Sequence, residues 1–397
     1  MCRKPMIYRA KKMTQKNSIW FGLLIIFLII AFFEISAASD FTVEPMLMVS
    51  GGYDDNIDFN ENDKINDFGV SVRPGIVLGY GTELLKLKVI ADIDYLKYLE
   101  ENDFNRLNQK YLFDGQYYMS ERWFLLGGFE FKSDETIDAQ LAETGRIYDS
   151  EGRDRYEGVG GIQYQISELT MITPKLRYIN TDYRGSGSVD NEAIILEVPY
   201  EMVLRNQRDK LTLEPSVGYF DSDTQEAYNA RITAKWERLF SERTTFSLEL
   251  GPRYTHSEFK DDNATDNQFG GVGEIILNHT GETFSGRVDF RHNLYPDADG
   301  DLVNRSRLRL YVRQYFSERF GFQFRGSGNF TQKLQGDSEK VWYSELIPSL
   351  FYQTTPNSNL ELSYSYQNRI ELDEPGDPTT HRNRIFLTYN INFPTIW

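Results

Sequence analysis

Apolar and polar residues alternate with a period of two along most of the chain after residue 40. In the segment LKLKVIADIDY, Leu85, Leu87 and Val89 alternate with Lys86 and Lys88. The same period recurs in ILEVPYEM (195–202) and in LELSYSY (360–366). A period of two sustained over about ten residues predicts β-strands with one apolar and one polar face.

Two kinds of connection separate these segments, and they take turns along the chain. The short ones are YGTE (80–83), MSER (119–122), ISEL (166–169), LRNQR (204–208), FSER (240–243), HTGE (279–282), a second FSER (316–319) and TTPNS (354–358). The longer ones are acidic and include residues 54–66, 133–155 and 372–380. Ser-Glu-Arg begins at Ser120, Ser241 and Ser317, always in a short connection, so we interpret it as a tight-turn phrase at one end of hairpins. These segments and connections predict about eighteen strands, from Phe41–Tyr53 to Arg384–Phe393. The expected number of strands is 16 to 18.

This rhythm predicts an all-β fold, namely a transmembrane antiparallel up-and-down β-barrel with short periplasmic turns and longer external loops. Strands of ten to twelve residues are long enough to cross the hydrocarbon core with tilt. A closed barrel leaves no unpaired sheet edge in lipid, whereas a sandwich would. Aromatic residues also gather at strand ends, for example Tyr53, Trp123 and Trp236, where interfacial girdles are expected. A soluble sandwich is the alternative reading of the same alternation.

The composition agrees with a barrel once its two faces are averaged. Charged residues make up 26% of the 397 residues, aromatic residues 14%, and the mean hydropathy is −0.50. Polar lumenal and apolar outer positions cancel along each strand of such a barrel. The single cysteine, Cys2, excludes a disulfide framework. The net charge of −16 argues against nucleic acid as a partner.

The N-terminus has the form of an export signal. Six Lys or Arg residues precede the apolar run Ile19–Phe33, and Ser36 and Ala38 occupy the small-residue positions before a cleavage site. We therefore expect a cleaved signal peptide at 1–38, with Met1 or Met13 as the start, and one barrel domain at 39–397. A retained membrane anchor is the alternative. The expected location is the outer membrane of a Gram-negative cell.

The C-terminal strand carries a second export feature. Tyr389, Ile391 and Phe393 share one phase, and the chain ends at Trp397. This pattern is similar to the signal that outer-membrane assembly machinery recognises, so that machinery and periplasmic chaperones are expected partners. Pro394 cannot donate to a ladder and is expected to end the strand at Phe393. An ordinary edge strand with a chance tryptophan is the alternative.

The first hairpins resemble a known family. GGYDDNIDF, GVSVRPGIVLGY and KLKVIADIDYLKYLEENDFN are similar to the β-barrel porin 2 family, whose members are exported barrels, some of them encoded near exopolysaccharide systems. The resemblance rests on strand rhythm and on the Tyr-Asp-Asn-Ile stretch and extends over most of the chain. It implies an outer-membrane barrel and supplies no catalytic residues.

The polar phase predicts a charge pattern in the lumen. Basic candidates crowd onto three late strands: Arg287, Arg291, Arg305, Arg307, Arg309, Arg313 and Arg325. Acidic candidates lie on four early strands: Asp92, Asp94, Asp114, Glu130 and Glu157. In an eighteen-strand ring these two groups face each other, which predicts a transverse field that orients charged solutes. Local pairing, such as Arg287 or Arg291 with Asp289, is the alternative.

Other chemistry is weak in this sequence. His256, His279, His292 and His381 lack metal-ligand spacing, and neither an enzyme, a cofactor nor a metal is expected. The stretch PDADGDLVN places Asp297, Asp299 and Asp301 at alternate positions but lacks the downstream Glu of an EF-hand. We expect a solvated acidic loop there, with weak divalent bridging to lipopolysaccharide as the alternative.

Three functional classes remain, of which the second is implied by the family resemblance and suggested by the arginine ladder. The leading one is an outer-membrane porin-like channel through which small hydrophilic solutes diffuse passively, surrounded by lipid and lipopolysaccharide. The second is a conduit or accessory barrel for exopolysaccharide export, and the third is a structural or adhesive barrel with a plugged lumen. Residues 133–155 decide among them, because this segment either folds inward as a constriction or stands outside. The sequence alone does not place it.

Overall fold

The fold is described from a computed structural model, over residues 40–147, 151–260, 264–334, 339–372, 378–393 and 395–396. The expected signal peptide at 1–38, as well as Pro394 and Trp397, lie outside the described residues.

Eighteen antiparallel strands form a single closed sheet. The first nine are β1 (Asp40–Asp54), β2 (Asp67–Gly81), β3 (Leu85–Tyr98), β4 (Arg106–Tyr118), β5 (Trp123–Glu135), β6 (Gly152–Ser167), β7 (Thr170–Ile172 with Lys175–Tyr183), β8 (Asn191–Glu197 with Tyr200–Val203) and β9 (Asp209–Ser222). The second nine are β10 (Gln225–Ser241), β11 (Thr244–Phe259), β12 (Thr265–Thr280), β13 (Phe284–Pro296), β14 (Leu302–Tyr315), β15 (Phe320–Lys333), β16 (Lys340–Thr355), β17 (Ser358–Glu371) and β18 (Thr379–Asn392 with Thr395–Ile396). The predicted fold class and strand number are confirmed.

The barrel closes where β18 pairs with β1. The ladder runs from Met46 opposite Asn392 to Asp54 opposite Arg384. Beyond Asn392 the pairing resumes, with Thr395 and Ile396 opposite Val43 and Thr42. The expectation that the strand ends at Phe393 was therefore only partly right: the main ladder stops one residue earlier, and a short second pairing follows.

Prolines divide two neighbouring strands. Pro174 lies between the two parts of β7, and Pro199 lies between the two parts of β8. A proline has no N–H to donate, so a ladder is interrupted there. Both carbonyls are nevertheless used, since Ile162 N donates to Pro174 O (3.1 Å) and Thr173 N donates to Pro199 O (3.0 Å). The wall stays continuous across these breaks.

The Ser-Glu-Arg phrases form tight turns at the end of the barrel where all short connections lie. In the turn at Ser120, the serine Oγ accepts hydrogen bonds from the N–H groups of Arg122 (3.3 Å) and Trp123 (3.2 Å). The turn at Ser317 repeats this arrangement with Arg319 and Phe320. A serine side chain that bonds the backbone two and three residues later stabilises a turn. The triplet recurs because the same hairpin geometry recurs.

Apolar side chains cover the outside of the barrel and polar side chains fill the inside. On β18, Ile385 and Leu387 are exposed, while Arg382 and Arg384 on the opposite face point inward and are largely covered. Tyr389 and Phe393 are exposed on the outer face as well. Among the described residues, no helix is long and apolar enough to cross a membrane.

Candidate functional site: the lumen and its constriction

The connection between β5 and β6 folds into the lumen. Its residues 136–143 form the helix α1 (Thr136–Glu143). The buried side chains of Ile137 and Leu141 pack against Phe59 of the β1–β2 loop and Tyr343 of β16. The open question from the sequence is thereby answered: this segment lies inside the barrel as a constriction. Because β5 extends to Glu135 and β6 begins at Gly152, the connection is shorter than the expected 133–155. We call residues 136–147 the constriction segment.

A left-handed glycine ends the helix. Gly145 has a φ of +77°, and its N–H donates to the carbonyls of Gln140 (3.0 Å) and Leu141 (3.1 Å). Such a residue terminates many helices because glycine adopts this conformation without steric cost. The chain turns sharply after it and presents its last carbonyls to the far wall.

Side chains of the far wall hold those carbonyls. The hydrogen bonds are from Asn329 to Leu141 O (3.2 Å) and Ala142 O (3.0 Å), Arg305 to Glu143 O (3.0 Å), Thr331 to Thr144 O (2.5 Å) and Arg369 to Gly145 O (3.0 Å). The donors lie on β14, β15 and β17, and β15 is opposite β6 in a ring of eighteen strands. The constriction segment therefore crosses the lumen and is fixed at its far end.

Ion pairs fix the two acidic side chains of α1. Arg106 of β4 and Arg382 of β18 approach the Asp138 carboxylate at 2.7 Å and 3.0 Å. Arg153 of β6 binds the Glu143 carboxylate at 2.6 Å. Burial raises the pKa of each carboxyl, but the neighbouring guanidinium groups outweigh it. The pKa of Asp138 falls well below its usual value, and that of Glu143 falls from 4.5 to about 2.

The β13–β14 loop meets the constriction segment. Asp297 is buried and pairs with Arg146 at 2.9 Å, and its carboxylate also accepts a hydrogen bond from Thr144. Lys333 of β15 approaches Asp299 at 2.5 Å and Asp301 at 3.4 Å. The expectation of a solvated acidic loop is wrong, because all three aspartates are neutralised locally by cations and hydrogen bonds.

The predicted basic residues lie on β13, β14 and β15, and their side chains point into the lumen. On β14, Leu308 is exposed outside, which places Arg305, Arg307, Arg309 and Arg313 on the lumenal face. Arg287 and Arg291 on β13 and Arg325 on β15 also have the inward phase. The structure thus brings the seven arginines onto one continuous stretch of wall.

Local acids compensate four of these arginines. Asp289 is almost completely buried and binds Arg287 (3.2 Å), Arg291 (3.2 Å) and Arg309 (2.9 Å). Arg291 also pairs with Glu274, and Arg325 pairs with Glu361 at 3.1 Å. These three guanidinium groups stand against two carboxylates, Asp289 and Glu274, which leaves an excess of one positive charge there.

The other three arginines have no acidic partner within ion-pair distance among the described residues. Arg305 donates to Glu143 O and Asn293, and its guanidinium lies 3.9 Å from the ring centroid of Tyr295. Arg313 lies over the ring of Phe351 at 4.3 Å. The side chain of Arg307 makes no hydrogen bond to a described residue. These cations give the wall its net positive charge.

The predicted acidic residues also have the inward phase, but basic neighbours accompany them. Asp92 binds Arg73 through two hydrogen bonds (2.6 Å and 2.7 Å), Glu130 pairs with Lys110 at 3.0 Å, and Glu157 pairs with Arg177. Asp94 accepts a hydrogen bond from Ser71, and Asp114 is exposed. The structure therefore assembles a mixed wall on β3 to β6, and local pairing accounts for most of its carboxylates.

A groove of about 500 Å³ lies against the basic wall. Arg287, Asp289, Arg309, Tyr311 and Arg325 contribute to its lining. It contains both paired and excess positive charge next to an aromatic hydroxyl, which suits a hydrated solute with anionic groups.

The histidines and acidic residues show no metal geometry. Within the described ranges, no group of three or more His, Cys, Asp or Glu side chains is placed to hold a metal ion. His256 contacts Asn267 at 2.9 Å, and His292 contacts Ser306 at 2.9 Å.

The residues that fix the constriction were not among the sequence candidates, apart from Arg305. Asp138, Arg382 and Asn329 lie far apart along the chain and share no motif. One local signal was present, since Ile137 and Leu141 are spaced i, i+4 and Gly145 follows them, as in a short capped helix.

Comparisons with known proteins found similar solved structures but no family. No family model and no curated protein matches the chain, so the resemblance to the β-barrel porin 2 family is not confirmed. Among solved structures, outer membrane protein OpdK from Pseudomonas aeruginosa is similar (TM-score 0.46, 9% identity, 88% of this chain and 99% of that chain covered). So are OccK9 (OpdG) from the same organism (0.47, 10%, 89% and 98%) and a BenF-like porin from Pseudomonas fluorescens Pf-5 (0.47, 9%, 90% and 99%). At such low identity and TM-score they imply nothing about the solutes that this chain carries.

Proposed function

We propose that this protein is an outer-membrane channel through which small hydrophilic solutes diffuse passively, with a preference for anions. The observation that carries the proposal is the lumen itself: a closed barrel with an apolar outer face, crossed inside by a fixed constriction segment next to excess positive charge. A barrel of this size encloses an aqueous channel unless it is filled. The constriction narrows that channel, and the arginine wall provides its selectivity.

The charge preference is argued from what remains after local pairing. Arg287, Arg291 and Arg309 stand against two carboxylates, those of Asp289 and Glu274. On the same wall, Arg307 has no acidic ion-pair partner among the described residues. Permeant anions are attracted by such a surface, and cations are repelled. On the opposite wall the carboxylates of Asp92, Glu130 and Glu157 are offset by cations, so the proposed field is weaker than two fully opposed walls would produce.

The proposal includes its cellular setting. Residues 1–38 would direct export and be removed, and the C-terminal residues Tyr389, Ile391, Phe393 and Trp397 would be recognised by the assembly machinery and periplasmic chaperones. Lipid and lipopolysaccharide would surround the apolar outer face, for which Leu211, Leu213 and Val217 on β9 are examples of exposed side chains.

Single-channel recording in a planar bilayer tests the proposal. We expect stable, stepwise openings and, in a salt gradient, a reversal potential with the sign of an anion-preferring pore. A heat-modifiable barrel that inserts but never conducts would leave the plugged, structural barrel as the better account. A conducting pore with a cation-type reversal potential would retain the channel and reject the role of the arginine wall.

A further inference from the structure

Arg382 links the seam of the barrel, which is the place where β18 pairs with β1, to the constriction segment. Its side chain is fully buried at the external end of β18, three residues after the strand begins. Its Nε donates to both carboxylate oxygens of Asp54 (2.8 Å and 3.0 Å), and its Nη1 donates to Asp138 (3.0 Å). Asp54 is the last residue of β1, and Asp138 belongs to α1. One guanidinium group therefore binds the first strand and the constriction segment together.

Side chains of the β1–β2 loop hold β1 and β18 together around Arg382. Asp55 accepts hydrogen bonds from the N–H (2.6 Å) and the side-chain amide (2.7 Å) of Asn383, and Asn56 donates to His381 O (3.0 Å). Tyr98 completes the surroundings of Asp54. Arg382 thus has its full set of partners only when β18 is paired with β1.

The energetic cost of burying Arg382 without both of its carboxylates also indicates that docking of the constriction segment depends on closure of the barrel. A buried guanidinium with one carboxylate removed retains its desolvation penalty while losing the compensating attraction. Before the barrel closes, Asp54 and Arg382 are on separate sheet edges, and Asp138 would have to attract a solvated Arg382 at one unpaired edge. Closure places Arg382 beside Asp54 and orients it toward the lumen, where Asp138 can bind it.

We propose that Arg382 is the positioning residue of the pore constriction, through which closure of the barrel between β1 and β18 is coupled to docking of residues 136–147. The constriction would be set in place only in a closed barrel, and loosening the seam would release it. This inference rests on the proposed function for its consequence, a change in pore width, but not for the coupling itself.

Trypsin cleavage after Arg146 provides a direct measurement of docking. Arg146 is 3% exposed and pairs with Asp297, so the docked segment protects it. The full-length chain is expressed, purified from membranes and treated with trypsin, and mass spectrometry identifies the peptide that ends at Arg146. Heat-modifiable migration in electrophoresis shows in parallel whether the barrel is closed. Neither measurement requires the protein to conduct ions.

Three variants separate the links. Asp138→Asn removes the charge by which α1 pairs with Arg382 and Arg106. Arg382→Lys weakens the contacts of Arg382 with both Asp54 and Asp138. Asp54→Asn changes only the pairing of β1 with β18, because Asp54 makes no described contact with residues 136–147. We expect all three to remain closed barrels and to be cleaved after Arg146, with the docked-to-released ratio reduced by about two orders of magnitude in Asp138→Asn. Arg73→Gln is the matched control, since it removes a lumenal guanidinium that pairs with Asp92 away from the constriction.

The decisive variant is Asp54→Asn. Faster cleavage in a closed Asp54→Asn barrel, with Arg73→Gln as resistant as the wild type, supports coupling through Arg382. Wild-type protection of Arg146 in Asp54→Asn would overturn it, as would equal cleavage in Arg73→Gln. If Asp54→Asn fails to fold, Arg382→Lys decides: protection of Arg146 in that closed barrel also overturns the proposal. Conductance recorded on the same samples tests the channel separately, so a non-conducting protein would refute the proposed function alone.

Discussion

At the residue scale, the surroundings of a charge determine its effect more than its position in the sequence. Arg307 and Arg309 are one inward position apart on β14 and were equivalent candidates from the sequence. In the structure, Arg309 lies 2.9 Å from Asp289, whereas Arg307 has no acidic partner among the described residues. Alternation along a strand predicts the face of a residue, but its cross-strand partner also depends on the register between the strands, which the type and length of the connecting turn help to set.

This difference leads to a prediction about selectivity. Replacing both Arg307 and Arg309 with Ala should shift the reversal potential in a salt gradient toward cation preference. Of the single variants, Arg307→Ala should cause the larger shift, because Arg307 has no acidic partner among the described residues, whereas Asp289 partly offsets the charge of Arg309. Equal reversal potentials for the wild type and the double variant would show that the arginine wall does not set selectivity.

The Glu143 carboxyl leads to a prediction about pH. Burial raises its pKa, but Arg153 and its other cationic neighbours lower it to about 2, below the ordinary value of 4.5. A carboxyl with a lowered folded-state pKa stabilises docking fully above pH 4.5, and this contribution is lost as the pH falls toward 2. Single-channel conductance should therefore be constant from neutral pH to about pH 5 and become unsteady as the pH approaches 2.

A variant isolates this carboxyl from other acid effects. Glu143→Gln cannot ionise and should show unsteady conductance already at neutral pH. Its pH dependence below 5 should be weaker than that of the wild type. An identical acid response in both proteins would assign that response to other carboxyl groups.

At the element scale, the strands were predictable and the helix was not. Period-two alternation marks strands such as β3 and β17 directly, because one face is apolar and points outward while the other faces the lumen. The helix α1 is only eight residues long, and a helix of that length is marginal in water without tertiary packing. Its stability comes from Phe59 and Tyr343 and from donors on β14, β15 and β17, all distant in sequence.

A single added methyl group at the end of α1 tests whether the left-handed glycine is needed for docking of the constriction segment. Gly145→Ala places a residue with a Cβ at φ +77°, which costs about 1–2 kcal/mol. The added Cβ would also lie 2.6 Å from the Cβ of Tyr343. We expect faster trypsin cleavage after Arg146 in a barrel that remains heat-modifiable.

The matched control for that substitution is Gly127→Ala on β5. A Cβ there would meet nothing within 4 Å, so this variant should be cleaved at the wild-type rate. If Gly145→Ala were as resistant as Gly127→Ala, the left-handed glycine would not be required for docking.

At the scale of the whole molecule, the barrel and its contents are specified in different ways. The number of strands and the alternation of short turns with long connections were predictable, because every strand repeats the same pattern of an apolar outer face and a polar inner face. The contacts within the lumen follow no such uniform pattern. Its apolar groups are small and local, as in the cluster of Phe220, Ala227 and Leu302. Its charged side chains are also arranged locally, some of them paired and others in excess. Such contacts join residues that are distant in sequence and meet only when the barrel closes. They therefore could not be predicted from local patterns in the sequence.

If the barrel and the constriction are separable in this way, the constriction can be removed while the barrel stays closed. Glu135 and Gly152 are paired at the ends of β5 and β6, so a short Gly-Ser turn can replace residues 136–151. We expect this variant to stay heat-modifiable, to conduct more per channel and to discriminate less between anions and cations, because the segment that crosses the lumen is gone and solutes can pass farther from the arginine wall. The same linker in place of the 3₁₀ turn Asn102–Phe104, which lies in the exposed β3–β4 connection, should leave conductance unchanged. Unchanged conductance after removal of residues 136–151 would mean that the path of the solute does not pass the constriction segment. The contacts that fix this segment would then stabilise the barrel and would not define the pore.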